Sequence, residues 1–176
     1  MPSYHSLYNG PGFQDLCGIP VLPLKTKVRG PAPCVEPANP EEEDVVDEAL
    51  RLFRANLLFR NFELLGGGDR LLVYLTLFIH LCLKRAKPAK ADGQRELATL
   101  ASGNHLAPGD AAWPLGQVIP APKSAEDLEN LKAYLKQLRD CVATRLVERI
   151  YNEDGTLNKH WAQYAKRKGF MNKEFP

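Results

Sequence analysis

The sequence predicts an all-α fold of about five helices, in which one apolar central helix is surrounded by the others. The main observation is the stretch 71–83, where eleven of thirteen residues are apolar and only Thr76 and His80 are polar. A helix without a polar face must be covered on every side, and a membrane span needs about 20 such residues. The second observation is a proline-rich N-terminal arm, residues 1–43, which we expect to pack in extended form on a single domain at 44–176.

The arm cannot contain long helices, because residues 1–40 hold eight of the 14 prolines and proline interrupts helical hydrogen bonding. Its apolar residues predict contacts with the domain, and the segment 22–28 predicts a short edge strand. Acidic residues at 41–44 then place negative charge on the first turn of a helix, where the helix dipole favours it. Apolar residues at spacings of three and four continue this helix to about residue 65.

The central helix follows a glycine break at 66–68, and Asp69 is its expected N-cap. Basic residues at its end and Pro88 after it are typical of a helix C-terminus. A buried strand over 73–79 is the alternative, since that segment contains good β-formers. The length of the apolar stretch and the capping pattern around it favour the helix over this strand.

Three more helices complete the predicted fold. A short helix is expected around 94–102, and a long loop follows at 103–122. Ser124 begins a pattern that resembles a capping box, and the longest helix extends from there to about residue 151. Its narrow leucine stripe favours packing on the central helix over a coiled-coil seam. Asn158 is the expected N-cap of a last short helix.

Composition and charge are typical of a soluble globular protein. Of the 176 residues, 44% are apolar and 25% charged, and the net charge is only +2. A net charge this small gives no general argument for binding nucleic acid or membranes. The four cysteines form no C-x-x-C pair, and Cys82 and Cys141 lie in apolar helical patterns as expected core residues. Without a visible signal peptide, this pattern predicts a reducing, cytoplasmic location.

No arrangement of residues in the sequence predicts catalysis, a cofactor site or a metal site. The four histidines are scattered and match no metal-binding spacing. His80 is expected to be a buried side chain with one hydrogen-bond partner rather than a ligand or a general base. The glycines at 66–68 lack the pattern of a phosphate loop, so loop flexibility explains them better. The acids at 41–44 lack the spacing of a calcium loop, so a helix start explains them better.

Two segments suit the binding of a partner. The arm carries Tyr4 and His5, with Tyr8 nearby, and amphipathic aromatic groups of this kind are good interface anchors. The C-terminal tail mixes basic and apolar residues, which suits an acidic protein surface or nucleic acid. The predicted binding residues of the tail are Lys166, Arg167, Lys168, Phe170, Met171, Asn172 and Lys173.

An adaptor that binds nucleic acid through a basic patch is the alternative function. The patch would combine the segments 84–95, with five cations and one acid, and 166–173. Solvated surface is the simpler explanation of both segments, so binding of nucleic acid is not the favoured prediction.

Several motifs, in order along nearly the whole chain, resemble one known family. The sequence is similar to the family of the 21 kDa subunit (subunit 3) of the actin-related protein 2/3 complex. It departs from the family pattern at 66–68, where glycines replace a more charged loop, and at 34–43, which is longer and richer in proline and glutamate. The matching motifs are MPSYHS at the N-terminus, GPAP at 30–33, VDEALRLFRANLLFRNFEL at 46–64, DRLLVYLTLFIHLCLKR at 69–85, the P-G-x-x-x-x-PL loop at 108–115, AYLKQLRDCVATRL at 133–146 and KRKGFMNK at 166–173.

The resemblance implies an all-α, non-catalytic subunit of a seven-subunit assembly that nucleates branched actin filaments in the cytoplasmic actin cytoskeleton. It implies contacts with other subunits, chiefly the third actin-related protein, and with the actin filament. It implies no cofactor of its own, since ATP belongs to the actin-related subunits. It also implies no nucleic acid partner and no insertion into a membrane.

Overall fold

The computed structural model describes residues 4–176, and in it the predicted central helix lies within a shell formed by the other elements. All thirteen residues of the stretch 71–83 are helical and buried, which confirms the central helix and excludes the alternative strand. The elements, in chain order, are β1 (Gln14–Leu16), β2 (Ile19–Val21), α1 (Val45–Asn56), α2 (Gly67–Arg85), α3 (Lys90–Ser102), α4 (Ala125–Ile150) and α5 (Lys159–Ala162), followed by two short 3-10 helices, Gln163–Lys166 and Phe170–Asn172.

The prediction of an all-α fold is wrong, because β1 and β2 form a small antiparallel sheet within the arm. Cys17 and Gly18 connect the strands with φ values of +56° and +86°, as a two-residue hairpin loop of type I′ requires. Three-residue strands are too short to give an alternating pattern, and Pro20 argues against a strand. Proline is tolerated there because a two-stranded sheet leaves each strand one free edge. The predicted strand at 22–28 is reduced to a single bridge from Leu24 to Cys34.

Helix α1 begins at Val45, just after the acids at 41–44 that were predicted to form its first turn, and it ends nine residues before the predicted position. Asp44 is its N-cap and forms a reciprocal capping box with Asp47, so the acids before Asp44 lie outside the helix. The helix ends at Asn56, whose fully buried side chain accepts from the Tyr4 amide and donates to the Tyr4 carbonyl. The apolar residues that follow, including Phe62, belong to a loop and not to a longer helix.

The glycines before the central helix serve close packing, which differs from the predicted flexible loop. Gly66 is the N-cap position, and Gly67 and Gly68 already belong to α2. A Cβ atom on Gly67 would lie 2.8 Å from the Gly18 carbonyl oxygen, and one on Gly68 would lie 2.7 Å from the Tyr8 carbonyl carbon. The arm therefore crosses the start of α2 at backbone contact distance. Asp69 is buried within the first turn of the helix and is not the N-cap.

The remaining helices cover α2 as predicted. Ser124 caps α4 through the Asp127 amide, and the leucine stripe of α4 is buried in the common core. Asn158 caps α5 through the His160 amide. The loop at 103–122 is anchored by its own apolar side chains, since Trp113 is buried and donates from Nε1 to the Ile119 carbonyl. Within residues 4–176, no helix is long and apolar enough to cross a bilayer.

Candidate interaction site

The arm lies along α1 and is held by buried side chains of the domain. Tyr4, whose side chain is half exposed, is fixed through its backbone at the end of α1. The Leu7 amide donates a hydrogen bond to Glu48 in the first turn of α1. The arm therefore runs antiparallel to the helix. Because it has no sheet partner along these residues, its backbone groups depend on side chains of the domain.

Asp69 is the main attachment point of the arm. Its fully buried carboxylate accepts from the Ser6 amide at 2.8 Å and from the Leu65 amide at 3.0 Å. His5 Nδ1 lies 2.7 Å from the same carboxylate. In return, the Asp69 amide donates to the Asn9 side chain at 2.7 Å. A buried carboxylate requires several donors of this kind, so the pairing fixes the position of His5.

The predicted tail residues divide into an exposed basic group and an anchor. Lys166, Arg167 and Lys168 are exposed, and none of them forms an ion pair with an acid of residues 4–176. Arg167 also lies over the Tyr164 ring at 5.9 Å. Phe170, by contrast, is fully buried, so its ring fixes the tail to the core and is not part of the surface.

The tail turns sharply after this anchor. Met171 and Asn172 both have left-handed backbone conformations, with φ values of +57° and +58°. For a non-glycine residue such as Met171 this conformation is strained. Gly169 is required at the turn, because a Cβ atom there would lie 2.0 Å from the Lys173 carbonyl oxygen. The turn leaves Asn172 exposed and Met171 and Lys173 partly buried.

Phe62 brings the two predicted binding segments together, although they are about 160 residues apart in the sequence. Its ring centroid lies 4.9 Å from that of His5 and 5.2 Å from that of Phe170. We call the resulting surface the arm–tail face. It comprises Tyr4, His5, Leu7, Leu58, Arg60, Leu65, Lys166, Arg167, Lys168, Asn172 and Lys173.

Four residues of the arm–tail face were not predicted. Leu7, Leu58 and Leu65 are 80%, 55% and 58% exposed, and exposed leucines next to a basic surface are typical of an interface. Arg60 lines a shallow groove with Arg167 and the rest of the tail turn. Leu58 and Leu65 lay within the segment predicted as helix, where an apolar residue indicates the core. No signal in the sequence distinguished them from core residues.

The comparisons with known proteins agree with this arrangement of motifs. A profile of the P21-Arc family, described as the ARP2/3 complex ARPC3 (21 kDa) subunit, matches residues 1–175. The chain belongs to this family. The resemblance found in the sequence motifs is thereby confirmed.

Curated relatives of the P21-Arc family align over nearly their whole length. Three examples, each named actin-related protein 2/3 complex subunit 3, illustrate this. The protein of Dictyostelium discoideum is 43% identical over 174 residues, which are 97% of this chain and 98% of the relative. That of Schizosaccharomyces pombe is 42% identical over 181 residues, at 98% and 99% coverage. That of Arabidopsis thaliana is 39% identical over 172 residues, at 96% and 97% coverage.

The second basic segment of this P21-Arc chain, 84–95, differs from the arm–tail face because most of its cations are paired. Lys84 binds Glu174 at 2.6 Å, and Arg85 binds Glu96 at 3.0 Å. Two further cations pair as well, Lys90 with Glu148 and Arg95 with Asp92. Paired cations attract an external anion less strongly, so of the two basic segments the tail has more unpaired charge.

The titratable groups behind the arm–tail face have structural roles. Burial, followed by the nearby Lys84 charge, lowers the pKa of His80, whose Nε2 lies 3.1 Å from the Arg167 carbonyl oxygen. This pairing confirms the prediction of a satisfied, buried His80. The hydrogen bond from Lys84 is the main cause that lowers the pKa of Glu174, which also accepts from the Gly169 amide. Both interactions fix the tail onto α2.

The described part of the chain offers no cluster suited to a metal ion. Within residues 4–176, no three His, Cys, Asp or Glu side chains are close enough to share one. Cys82 and Cys141 are buried, as expected, and burial raises the pKa of each thiol.

Proposed function

We propose that this chain is a non-catalytic structural subunit of the actin-nucleating ARP2/3 complex, located at the cytoplasmic actin cytoskeleton. The observation that carries the proposal is the family match over residues 1–175, together with relatives aligned end to end under the same name. In this role the chain contributes to the nucleation and branching of actin filaments. Its partners are the other subunits of the seven-subunit complex and the filament.

We propose further that the arm–tail face contacts the third actin-related protein. Exposed Leu7, Leu58 and Leu65 supply apolar contact area, and Lys166, Arg167 and Lys168 supply unpaired positive charge beside it. This combination fits an acidic protein surface with an apolar centre. Phe170 contributes indirectly, because its buried ring holds the basic residues in position.

The first experiment tests membership of the complex. The full chain, tagged at its C-terminus and expressed in its own cells, should co-purify with two actin-related proteins in equal amounts by quantitative mass spectrometry. Complex that lacks the chain should form fewer branches in pyrene-actin and branch-imaging assays. Intact complex without the chain, with unchanged branching, would refute the proposal.

The second experiment tests the arm–tail face by charge reversal. We expect Lys166→Glu/Lys168→Glu to weaken association with the complex about tenfold or more, since charged interface contacts contribute about 1.5 kcal/mol or more each. Lys87→Glu/Lys123→Glu, which reverses two exposed lysines outside this face, is the matched control and should leave association unchanged. Circular dichroism should show folded protein for both variants. Unfolding of Lys166→Glu/Lys168→Glu would mean that Lys166 and Lys168 are structural.

The nucleic acid alternative makes an opposite prediction for the same chain. It requires RNA or DNA binding at micromolar strength that weakens steeply as salt rises. We expect no such binding even at low salt. A salt-dependent complex abolished by Lys166→Glu/Lys168→Glu would favour the alternative.

A further inference from the structure

A cleft between α4 and the loop after α3 contains an incompletely paired buried arginine. Arg139 is only 6% exposed, and no carboxylate of residues 4–176 lies within ion-pair distance of it. Its Nε donates to the Ala101 carbonyl at 3.2 Å, and its Nη1 donates to the Tyr74 hydroxyl at 3.1 Å. A buried guanidinium normally has an anionic partner. Here both partners are neutral.

The third nitrogen of this guanidinium is left without a partner among the described residues, and Arg139 is one of the residues that line the cleft. Nη2 of Arg139 donates to no group in the described part of the chain, and it is not a fully enclosed atom. The cleft has a volume of about 350 Å³ and lies between α4 and the loop that follows α3. The carbonyl end of α3 compensates part of the arginine charge, by roughly half a unit, so a positive charge remains at the cleft.

Two other groups of donors line the same cleft. Lys132 and Lys136 are exposed on α4 at its rim, where the acid Glu129 lies 3.5 Å from Lys132. The backbone amides of residues 104–106 donate no hydrogen bond to any described residue. Three cations, one acid and a run of free amides together form a concave surface suited to an anion.

We propose that this cleft binds an acidic side chain of a partner protein, with the carboxylate held by Arg139 Nη2 and the two lysines. A side-chain carboxylate fits better than a phosphate, because a phosphate has no methylene groups to cover the apolar part of the lining. The cleft is also lined by Leu106, Ala107 and Ala133, which suit the methylene groups of an acidic side chain. The inference goes beyond the proposed function and does not depend on it, since it can be tested on the full chain alone.

The test titrates the ¹⁵N-labelled full chain with a blocked tetraglutamate peptide and follows the NMR spectrum. The amides of residues 104–106 and the Arg139 Nε–H signal should shift together. Lys132→Gln/Lys136→Gln should weaken binding about tenfold, as the loss of charge-assisted contacts implies. Arg139 is left intact because its other nitrogens hold α3 and Tyr74.

Two controls make the result decisive. Lys123→Gln/Lys159→Gln removes the same number of exposed lysines elsewhere and should leave the affinity unchanged. Tetraglutamine should not bind. Equal weakening in the control variant, shifts confined to other surfaces, or equal binding of tetraglutamine would each overturn the proposal. Inorganic phosphate that binds the cleft more tightly than the peptide would also overturn it, because the ligand would then be a phosphate.

Discussion

At the scale of single residues, buried polar side chains hold the arm on the domain. Asn56 pairs with both backbone groups of Tyr4, and Asp69 accepts from the Ser6 amide. Gln137, on α4, accepts a hydrogen bond from the Ala32 amide and donates one to the Ala32 carbonyl. The sequence could not identify these three side chains, because each partner is more than 50 residues away. It could identify His80, since a histidine within an apolar helix has to find a partner in the core.

Asp44 permits a prediction at this scale about stability and pH. Burial disfavours its charge, but two hydrogen bonds from Arg145, at 2.5 and 2.8 Å, and one from the Lys25 amide outweigh burial and lower the pKa of Asp44. A lowered pKa means that the stability it contributes is fully present above the unfolded-state value of about 3.9. It is lost as the pH falls through the folded-state pKa.

We therefore expect Asp44→Asn to lower the free energy of unfolding by about 2 kcal/mol at pH 7, because charge-assisted hydrogen bonds to Arg145 are lost. The difference from the wild type should shrink as the pH falls below about 4. Urea unfolding at several pH values measures it. Glu129→Gln, at an exposed carboxylate, should have almost no effect at any pH. If the loss of unfolding free energy in Asp44→Asn did not change with pH, the stability contribution inferred from the lowered pKa of Asp44 would be contradicted.

At the scale of elements, long periodic segments were predictable and short ones were not. The stretch 71–83 has no polar face, and α4 has a cap and a leucine stripe, so both helices were correct to within a few residues. The end of α1 was wrong because Leu57, Phe62 and Leu64 continue the helical spacing while they anchor a loop. Periodicity records which residues are buried, but a loop over a core also buries its apolar residues.

The start of α2 gives a prediction for an element. Gly68→Ala should destabilise the protein by about 1–3 kcal/mol, because the new methyl group overlaps the backbone of Tyr8. Alanine is the better helix former by about 1 kcal/mol, so the sign of the effect depends on the contact with the arm. Thermal unfolding and limited proteolysis of the arm measure the result.

Gly116→Ala is the control for this substitution, since a Cβ atom there meets nothing within 4 Å. We expect it to be neutral or slightly stabilising through reduced freedom of the unfolded chain. If Gly68→Ala stabilised the protein as helix propensity alone predicts, the close approach of arm and helix would be wrong.

At the scale of the whole molecule, α2 supports a surface built from distant parts of the chain. The sequence predicted the arm and the tail as separate binding segments, and their residue types were the signal. It could not predict that they form one surface, because Phe62, which joins them, lay in a segment predicted as helix. The contribution of the loop leucines to the arm–tail face, and its contact with an actin-related subunit, stay predictions.

The ring contacts of Phe62 predict that the arm and the tail open together. Phe62→Ala removes a ring that is only 5% exposed and should cost about 3 kcal/mol. Because both contacts are lost, hydrogen exchange should accelerate in residues 4–9 and 166–173 alike, while α2 stays protected. Phe13→Ala is the matched control, since that ring is 43% exposed and contacts Tyr8 alone among the described aromatic rings. Because Tyr8 belongs to the arm, this variant should leave hydrogen exchange in residues 166–173 unchanged. In Phe62→Ala, faster exchange in only one of the two segments would mean that they are anchored independently, and the arm–tail face would then be two surfaces that can bind separately.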